Sequence, residues 1–423
     1  MKYKRLFLLA PLFIVLAFAS SVSASDTAPL TNQPAGKLAK NNPDLEFIDT
    51  SFENASPLWY EFAADGTIVI HLLYDQERNS PNRAAGHVHF LIQAKPGAKL
   101  TLEFKELDNV WNGKPGSIAK ELKAVSISEN GRDWKAVPTE SLPENRVRLA
   151  VEMPGPRLFV ARIEPYRLSD LDRLLVSIRS NPLVQITPIG KTVQGRELEI
   201  VRVGDERAPY RVFLRARAHP WETGGSWVVQ GLINRLLQGD VDAQKFLRRY
   251  CLYVLPMANK DGVARGGTRF NLQGQDLNRN WDKPVDAEFA PENAMLEKWL
   301  EQMIAADRRP HLAMELHNDG SGLLHISRPP VVGLNRHVER MATLERLLRQ
   351  HTWFTEGSTR PVFHNAGTLG DGWLERYGID AVVHEFNCNW IAGVKDFAQG
   401  RHWQSYGENL ATVFYEYFGL VKP

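Results

Sequence analysis

The stretch Arg211-Val212-Phe213-Leu214-Arg215-Ala216-Arg217-Ala218-His219-Pro220-Trp221-Glu222-Thr223-Gly224-Gly225-Ser226 divides into three parts. Arg211 to Ala216 reads as a strand, Arg217 to Gly225 as a loop that carries a His and a Glu with two residues between them, and Ser226 to Leu237 as an amphipathic helix followed by Gly239. A strand that ends in a loop and feeds a helix is the repeating unit of an α/β domain, and in such domains active residues sit where strands end in loops.

The same alternation continues on both sides. Ser169 to Ser177 reads as a helix, Glu197 to Val203 and Cys251 to Pro256 as strands, Pro291 to Ala305 as a helix, and Leu312 to Leu316 and Ala381 to Phe386 as strands. This predicts an α/β domain with a mostly buried central sheet over residues 164–423. Upstream the period changes. Thr67 to Leu73, His87 to Ala94, Lys99 to Phe104, Ala124 to Ser128 and Arg146 to Glu152 are short alternating or apolar runs, separated by turn pairs such as Asp65-Gly66, Pro96-Gly97 and Asn130-Gly131. That spacing predicts a smaller all-β sandwich over residues 45–163.

Residues 25–44 lack hydrophobic periodicity and read as a flexible leader. Residues 1–24 read as a cleaved signal peptide: Lys2, Lys4 and Arg5 precede an apolar run from Leu6 to Ala19, and Val22-Ser23-Ala24 supplies small residues for cleavage. An apolar run of about 14 residues is short of the roughly 20 that span a bilayer. The expected location is secreted or periplasmic, with no stable membrane anchor after cleavage.

Composition fits a folded, water-soluble chain: 43% of residues are apolar and 24% charged. Loss of three basic residues and no acidic ones with the signal takes the formal net charge from +2 to −1. A near-neutral surface argues against a general nucleic-acid or anionic-membrane binder. Cys251 and Cys388 are the only cysteines, too few for a disulfide-stapled scaffold, and both lie in or beside apolar runs that suit buried free thiols.

A His-x-x-Glu spacing is weak by itself. Here a second strand, Leu312 to Leu316, ends in His317, which places another imidazole at the same kind of position. His219, Glu222 and His317 together leave a tetrahedral zinc one open site, the catalytic rather than the structural arrangement. One zinc per chain is expected.

Three further segments accompany these residues: Leu255-Pro256-Met257-Ala258-Asn259-Lys260-Asp261-Gly262, then Arg269-Phe270-Asn271-Leu272-Gln273-Gly274-Gln275-Asp276-Leu277-Asn278-Arg279-Asn280-Trp281, and Val383-His384-Glu385-Phe386. In order and approximate spacing the set resembles the M14 family of zinc carboxypeptidases. Phe52-Glu53-Asn54, Gly131-Arg132-Asp133-Trp134 and Pro165-Tyr166-Arg167-Leu168 resemble the β-sandwich and junction of its cytosolic carboxypeptidase branch, which includes bacterial members. The resemblance implies an α/β/α catalytic domain with a mixed central sheet and hydrolysis of the C-terminal peptide bond of peptides or proteins. It assigns the metal to His219, Glu222 and His317, the general base to Glu385, and the grip on the terminal carboxylate to Asn278 and Arg279. Polarisation of the scissile carbonyl falls to Arg269, with Arg265 as a rival.

Departures from the family pattern bear on specificity. The substrate-capping tyrosine has no clear counterpart; Phe363 and His364 lie in that stretch, with Tyr377 nearer the base. Glu315 stands where an Asp is usual and is placed to orient His317. Glutamate-removing members of the cytosolic branch carry an Arg where this chain has Gly370, followed by Asp371. Terminal Glu is therefore expected to be a poor substrate. Asp371 favours Lys, Arg or diaminopimelate if it faces the pocket, and leaves the pocket neutral if it faces solvent. Two other functions remain open on the sequence: a carboxypeptidase or amidase acting on cell-wall peptides, and a binding module without catalysis, against which the complete set of ligands and base argues.

Overall fold

Residues 42–75, 82–111 and 113–421 are described by the structure, a computed structural model. The expected signal peptide and most of the expected leader lie outside them. Among the described residues, no helix is long and apolar enough to cross a membrane.

Among the described residues up to Ala161 the regular elements are strands, apart from one short 3-10 turn at Ala119–Glu121. One five-stranded sheet runs Leu45–Asp49, His89–Ala94, Arg157–Ala161, Ala124–Ser128 and Lys135–Pro138. A second runs Glu140–Leu142, Arg146–Glu152, Lys99–Lys105, Ile68–Leu72 and Leu58–Phe62. The alternation in Arg146–Glu152 explains its place: Val147, Leu149 and Val151 are buried, while Ala150 and Glu152 face out. The inward residues of both sheets form one core with Phe90, Phe104 and Val160, and Trp221 from the ligand-bearing loop joins that core. The β-region is thus packed directly onto the element that carries His219 and Glu222.

From Leu168 onward helices and strands alternate around a seven-stranded sheet. Its order is Val184–Lys191, Glu197–Val203, Tyr250–Leu255, Tyr210–Ala216, Leu312–Asp319, Asp380–Asn387 and Leu324–His325. The four strands from Tyr250–Leu255 to Asp380–Asn387 are mutually parallel, and the strands outside them on either side pair antiparallel. The sheet is mixed, as the family resemblance implies. Central strands buried on both faces must read as continuous apolar runs, and Tyr250–Leu255 is buried at every position.

Helices cover both faces. Gly224–Leu236, Leu334–His351 and Gly400–Leu420 share a core with one face, through Leu232, Leu344 and Phe414 among others. Pro291–Ala305 and Leu369–Tyr377 share another core through Trp299 and Trp373. The 18-residue and 21-residue helices Leu334–His351 and Gly400–Leu420 are additional to the elements read from the sequence. Parallel strands bring their C-terminal ends to one edge, so Ala216, His317 and Glu385 lie together; His317 and Glu385 are direct register partners.

Candidate metal centre

The loop after Tyr210–Ala216 is held open at Arg217, whose φ of 61° lies in the left-handed region. Its buried guanidinium donates to the Tyr166 carbonyl at 2.8 Å and to the Pro220 carbonyl, while its own carbonyl accepts from Asn259 N–H at 2.9 Å. These bonds fold the loop back so that His219 and Glu222 both point inward. Trp221, between them, is clamped on the β-region: its ring lies 3.7 Å from the Arg162 guanidinium, and its indole N–H donates to Glu222 Oε1 at 3.2 Å.

Glu222 Oε1 is 2.9 Å from His219 Nδ1, and Glu222 Oε2 is 2.6 Å from His317 Nδ1. The two Nδ1 atoms are 3.1 Å apart. All three residues are buried. His219 Nε2 faces a carboxylate oxygen of Asp276 at 3.0 Å, which fixes the proton on Nε2 and leaves the Nδ1 lone pair free. His317 Nε2 lies 3.4 Å from Glu315 Oε1 and 3.0 Å from the Asn278 side-chain amide. Two imidazole lone pairs and a carboxylate turned on one another repel unless a cation lies among them, so the donor set fits a zinc ion bound through nitrogen and oxygen.

The partners of these ligands are themselves fixed. Glu315 and Arg215, both fully buried, form an ion pair at 2.5 Å, and Arg215 also reaches the Leu277 carbonyl at 2.7 Å. Glu315 thus contacts His317 as the sequence suggests. Asp276 carries a second load: its Oδ2 accepts from Arg269 Nε and Nη2, each at 2.8 Å. Burial opposes its charge, but Arg269 and His219 hold its carboxyl well below the usual range. The sequence assigns Asp276 no role, although it stands two residues before Asn278.

Glu385 stands at the end of its strand, beside His317. Burial, reinforced by the nearby Asp319 carboxylate, pushes its carboxyl well above the ordinary Glu range. Its Oε2 is buried without a hydrogen-bond partner among the described residues. Asp319 and His325 flank it closely enough for one atom of each to lie within 4.8 Å of the others. The Glu121 carboxylate of the β-region also acts on Glu385; burial, against Arg162 at 2.6 Å, lifts the Glu121 carboxyl to about 7.

Residues 175–304 match the family model described as zinc carboxypeptidase, Peptidase_M14. Over these residues the chain matches the M14 zinc carboxypeptidase family. That match contains His219 and Glu222 and ends before His317, which the fold supplies. Cytosolic carboxypeptidase 1 of Danio rerio is 33% identical over 152 residues, 36% of this chain and 13% of its own length. Cytosolic carboxypeptidase 6 of Caenorhabditis elegans is 34% identical over 142 residues, 32% of this chain and 31% of its own length. The chain therefore spans about a third or less of these curated relatives. A metallo-carboxypeptidase from Burkholderia cenocepacia superposes with a TM-score of 0.76 at 18% identity, covering 88% of this chain and 98% of that one. A metallo-carboxypeptidase from Pseudomonas aeruginosa, in complex with (2-guanidinoethylmercapto)succinic acid, gives 0.73 at 21% identity, with 88% and 98% covered. The shared fold therefore takes in the β-region as well as the part that matches the family model.

Around this candidate site, Arg269 is buried against Asp276, whereas Arg265 is exposed beyond the helix Lys260–Ala264. Arg279 is partly buried next to Asn278, and its Nη1 donates to the Asn278 carbonyl at 2.8 Å. Asn278 also accepts from Leu369 N–H at 2.9 Å, which ties it to the helix that carries Asp371. Asp371 faces neither an open pocket nor solvent. It is 1% exposed and bonds Ser327 Oγ at 2.5 Å, His364 Nε2 at 3.0 Å and Gly367 N–H at 3.2 Å. Tyr377 OH bonds Glu297 at 3.2 Å, and the Phe363 ring lies 5.0 Å from that of His325. Cys251 and Cys388 are buried and unbridged.

Proposed function

We propose that the chain is a zinc metallocarboxypeptidase that removes the C-terminal residue of peptides or proteins outside the cytoplasm. The observation that carries this reading is the convergence of His219 Nδ1, Glu222 and His317 Nδ1 beside the unpartnered Glu385 Oε2. His219, Glu222 and His317 would hold the zinc, whose chemistry when bound is to acidify water and polarise a carbonyl.

The remaining roles belong to side chains. Arg279, with Asn278 beside it, receives the terminal carboxylate; a guanidinium suits this because it makes two parallel charge-assisted bonds. The contact between Asn278 and His317 Nε2 links that grip to the metal site. Arg269 donates to the scissile carbonyl oxygen as negative charge develops on it. Glu385 takes the proton of the attacking water and delivers it to the departing amine; its raised affinity for protons suits it to both halves of that transfer. The basic and apolar start of the chain supports export.

Cell-wall peptides are a second substrate class for the same site. Metal analysis joined to peptide digestion tests the proposal: about one zinc per chain and release of single C-terminal residues are expected, while full turnover in zinc-free protein would remove the metal from the reading.

A further inference from the structure

Three consecutive backbone N–H groups, from Thr268, Arg269 and Phe270, converge on the carboxylate of Asp75. Thr268 N lies 2.8 and 2.9 Å from its two oxygens and Phe270 N 3.0 Å from one of them. Asp75 belongs to the β-region, just beyond strand Ile68–Leu72, and is 193 residues from Thr268. A run of N–H groups turned onto one anion is a nest, and an anion within it fixes the conformation of all three residues at once. The residue at its centre is Arg269.

The Arg269 side chain is gripped from the same region. Its guanidinium carbon lies 5.1 Å from the centre of the Trp111 ring, and its two nitrogens share Asp276 Oδ2. Asn82, also from the β-region, donates to that same oxygen at 3.3 Å. Asp276 Oδ1 then meets His219 Nε2 at 3.0 Å. A continuous path therefore runs from Asp75 through the backbone and side chain of Arg269 to a metal ligand. The surrounding segment is a loop, the kind of element that varies most in position, and a donor to a developing oxyanion works only when held within a few tenths of an ångström of its place.

We propose that Asp75 is a positioning residue for Arg269, so that the β-region completes the catalytic centre rather than merely accompanying it. This rests on the role of Arg269 proposed above.

The test uses full-length, zinc-loaded protein carrying Asp75→Asn, Arg269→Ala, or both. Asp75→Asn keeps the shape but removes the charge that the three donors share and turns an N–H₂ toward Thr268 N, which meets both oxygens. It is expected to lower kcat by about 10-fold or more, since small misplacement at a reacting centre costs up to about 100-fold. KM, zinc content and melting temperature should stay close to those of the parent. Arg269→Ala should lower kcat by about 100-fold or more. Because Asp75 acts through Arg269, the double variant should be no slower than Arg269→Ala alone. A readout independent of turnover is hydrogen exchange in metal-free protein, where the amides of residues 268–270 should exchange faster in Asp75→Asn. If that variant does not fold, Asp75→Glu, which keeps the charge and shifts it by one methylene, is measured in the same way. Parental kcat in the Asp75 variant, or losses that multiply in the double variant, would overturn the proposal. Parental kcat in Arg269→Ala would instead overturn the role of Arg269 on which it stands.

Discussion

Glu385 lies at the end of a buried parallel strand, where a carboxylate is costly unless it is used. Glu385→Gln keeps its shape and loses the acceptor, so kcat should fall at least about 100-fold while zinc content stays at the parental level. Loss of zinc from that variant would show that Glu385 belongs to the ligand set instead. The pocket supports a second prediction at this scale. Asp371 is committed to Ser327, His364 and Gly367, and Arg328 is held by the carbonyls of Ile326 and Arg360, each at 3.1 Å. An incoming Glu side chain would find Arg328 already committed to those carbonyls, and an unpaired buried charge costs several kcal/mol. Peptides ending in Glu should therefore give lower kcat/KM than otherwise identical peptides ending in Leu or Lys, and a preference for Glu would refute this. The convergence of His219, Glu222 and His317 was legible in the sequence because they stand at or just beyond strand ends in a recognisable order, with Glu385, the proposed base, on the neighbouring strand. Asp75, Asn82 and Asp276 were not assigned roles, since each acts through a partner that only the fold brings near.

Strand Leu312–Asp319, bearing His317, and helix Gly224–Leu236, which follows Glu222, meet at two glycines. A Cβ on Gly225 would stand 2.8 Å from the Leu316 Cβ and 3.2 Å from the Ala216 Cβ; one on Gly224 would stand 2.7 Å from the Asn318 side chain. Gly225→Ala must push the helix off the strand and draw Glu222 away from His317. Weaker zinc binding, by about 10-fold or more, is expected by analogy with the loss of groups that orient metal ligands, and titration against a competing chelator measures it. Parental zinc affinity in Gly225→Ala would show that the helix yields without moving the ligand. At this scale strands and short helices were read well, because a strand such as Ala124–Ser128 and a helix such as Pro291–Ala305 carry their period locally. Helix Gly400–Leu420 was not read. Gly407 lies in it against the Val228 carbonyl of the neighbouring helix, where a Cβ would stand only 1.9 Å away; its glycines serve helix packing, a reason invisible without the partner.

Across the whole molecule, the β-region and the α/β part are joined by buried polar contacts as well as by apolar packing. Asn54 donates to the Val263 carbonyl at 2.8 Å, and His87 Nε2 meets the Asn54 carbonyl at 2.8 Å. Burial, aided by the Arg217 and Arg162 charges, pushes His87 down to about 4, and His89 beside it is also lowered. Such a histidine stays neutral in the folded state while the unfolded chain takes up a proton below about 6.5. Stability is therefore present above about pH 6.5 and is lost as pH falls toward about 4; His87 alone accounts for about 3 kcal/mol of that change. Melting temperatures across this range should fall with acid, and His87→Gln should flatten the slope; an unchanged slope would place the acid sensitivity elsewhere. The two-part architecture was legible in the change from short alternating strands to strand–helix alternation, but the reach of the β-region into the catalytic centre was not, because it rests on contacts between residues nearly 200 positions apart. The most direct measurement is mass spectrometry of a defined peptide incubated with zinc-loaded protein, alongside the same peptide amidated at its C-terminus. The free peptide should lose single residues from its C-terminus and the amidated one should stay intact, because Arg279 lacks its carboxylate; internal cleavage, or equal trimming of both, would contradict a carboxypeptidase.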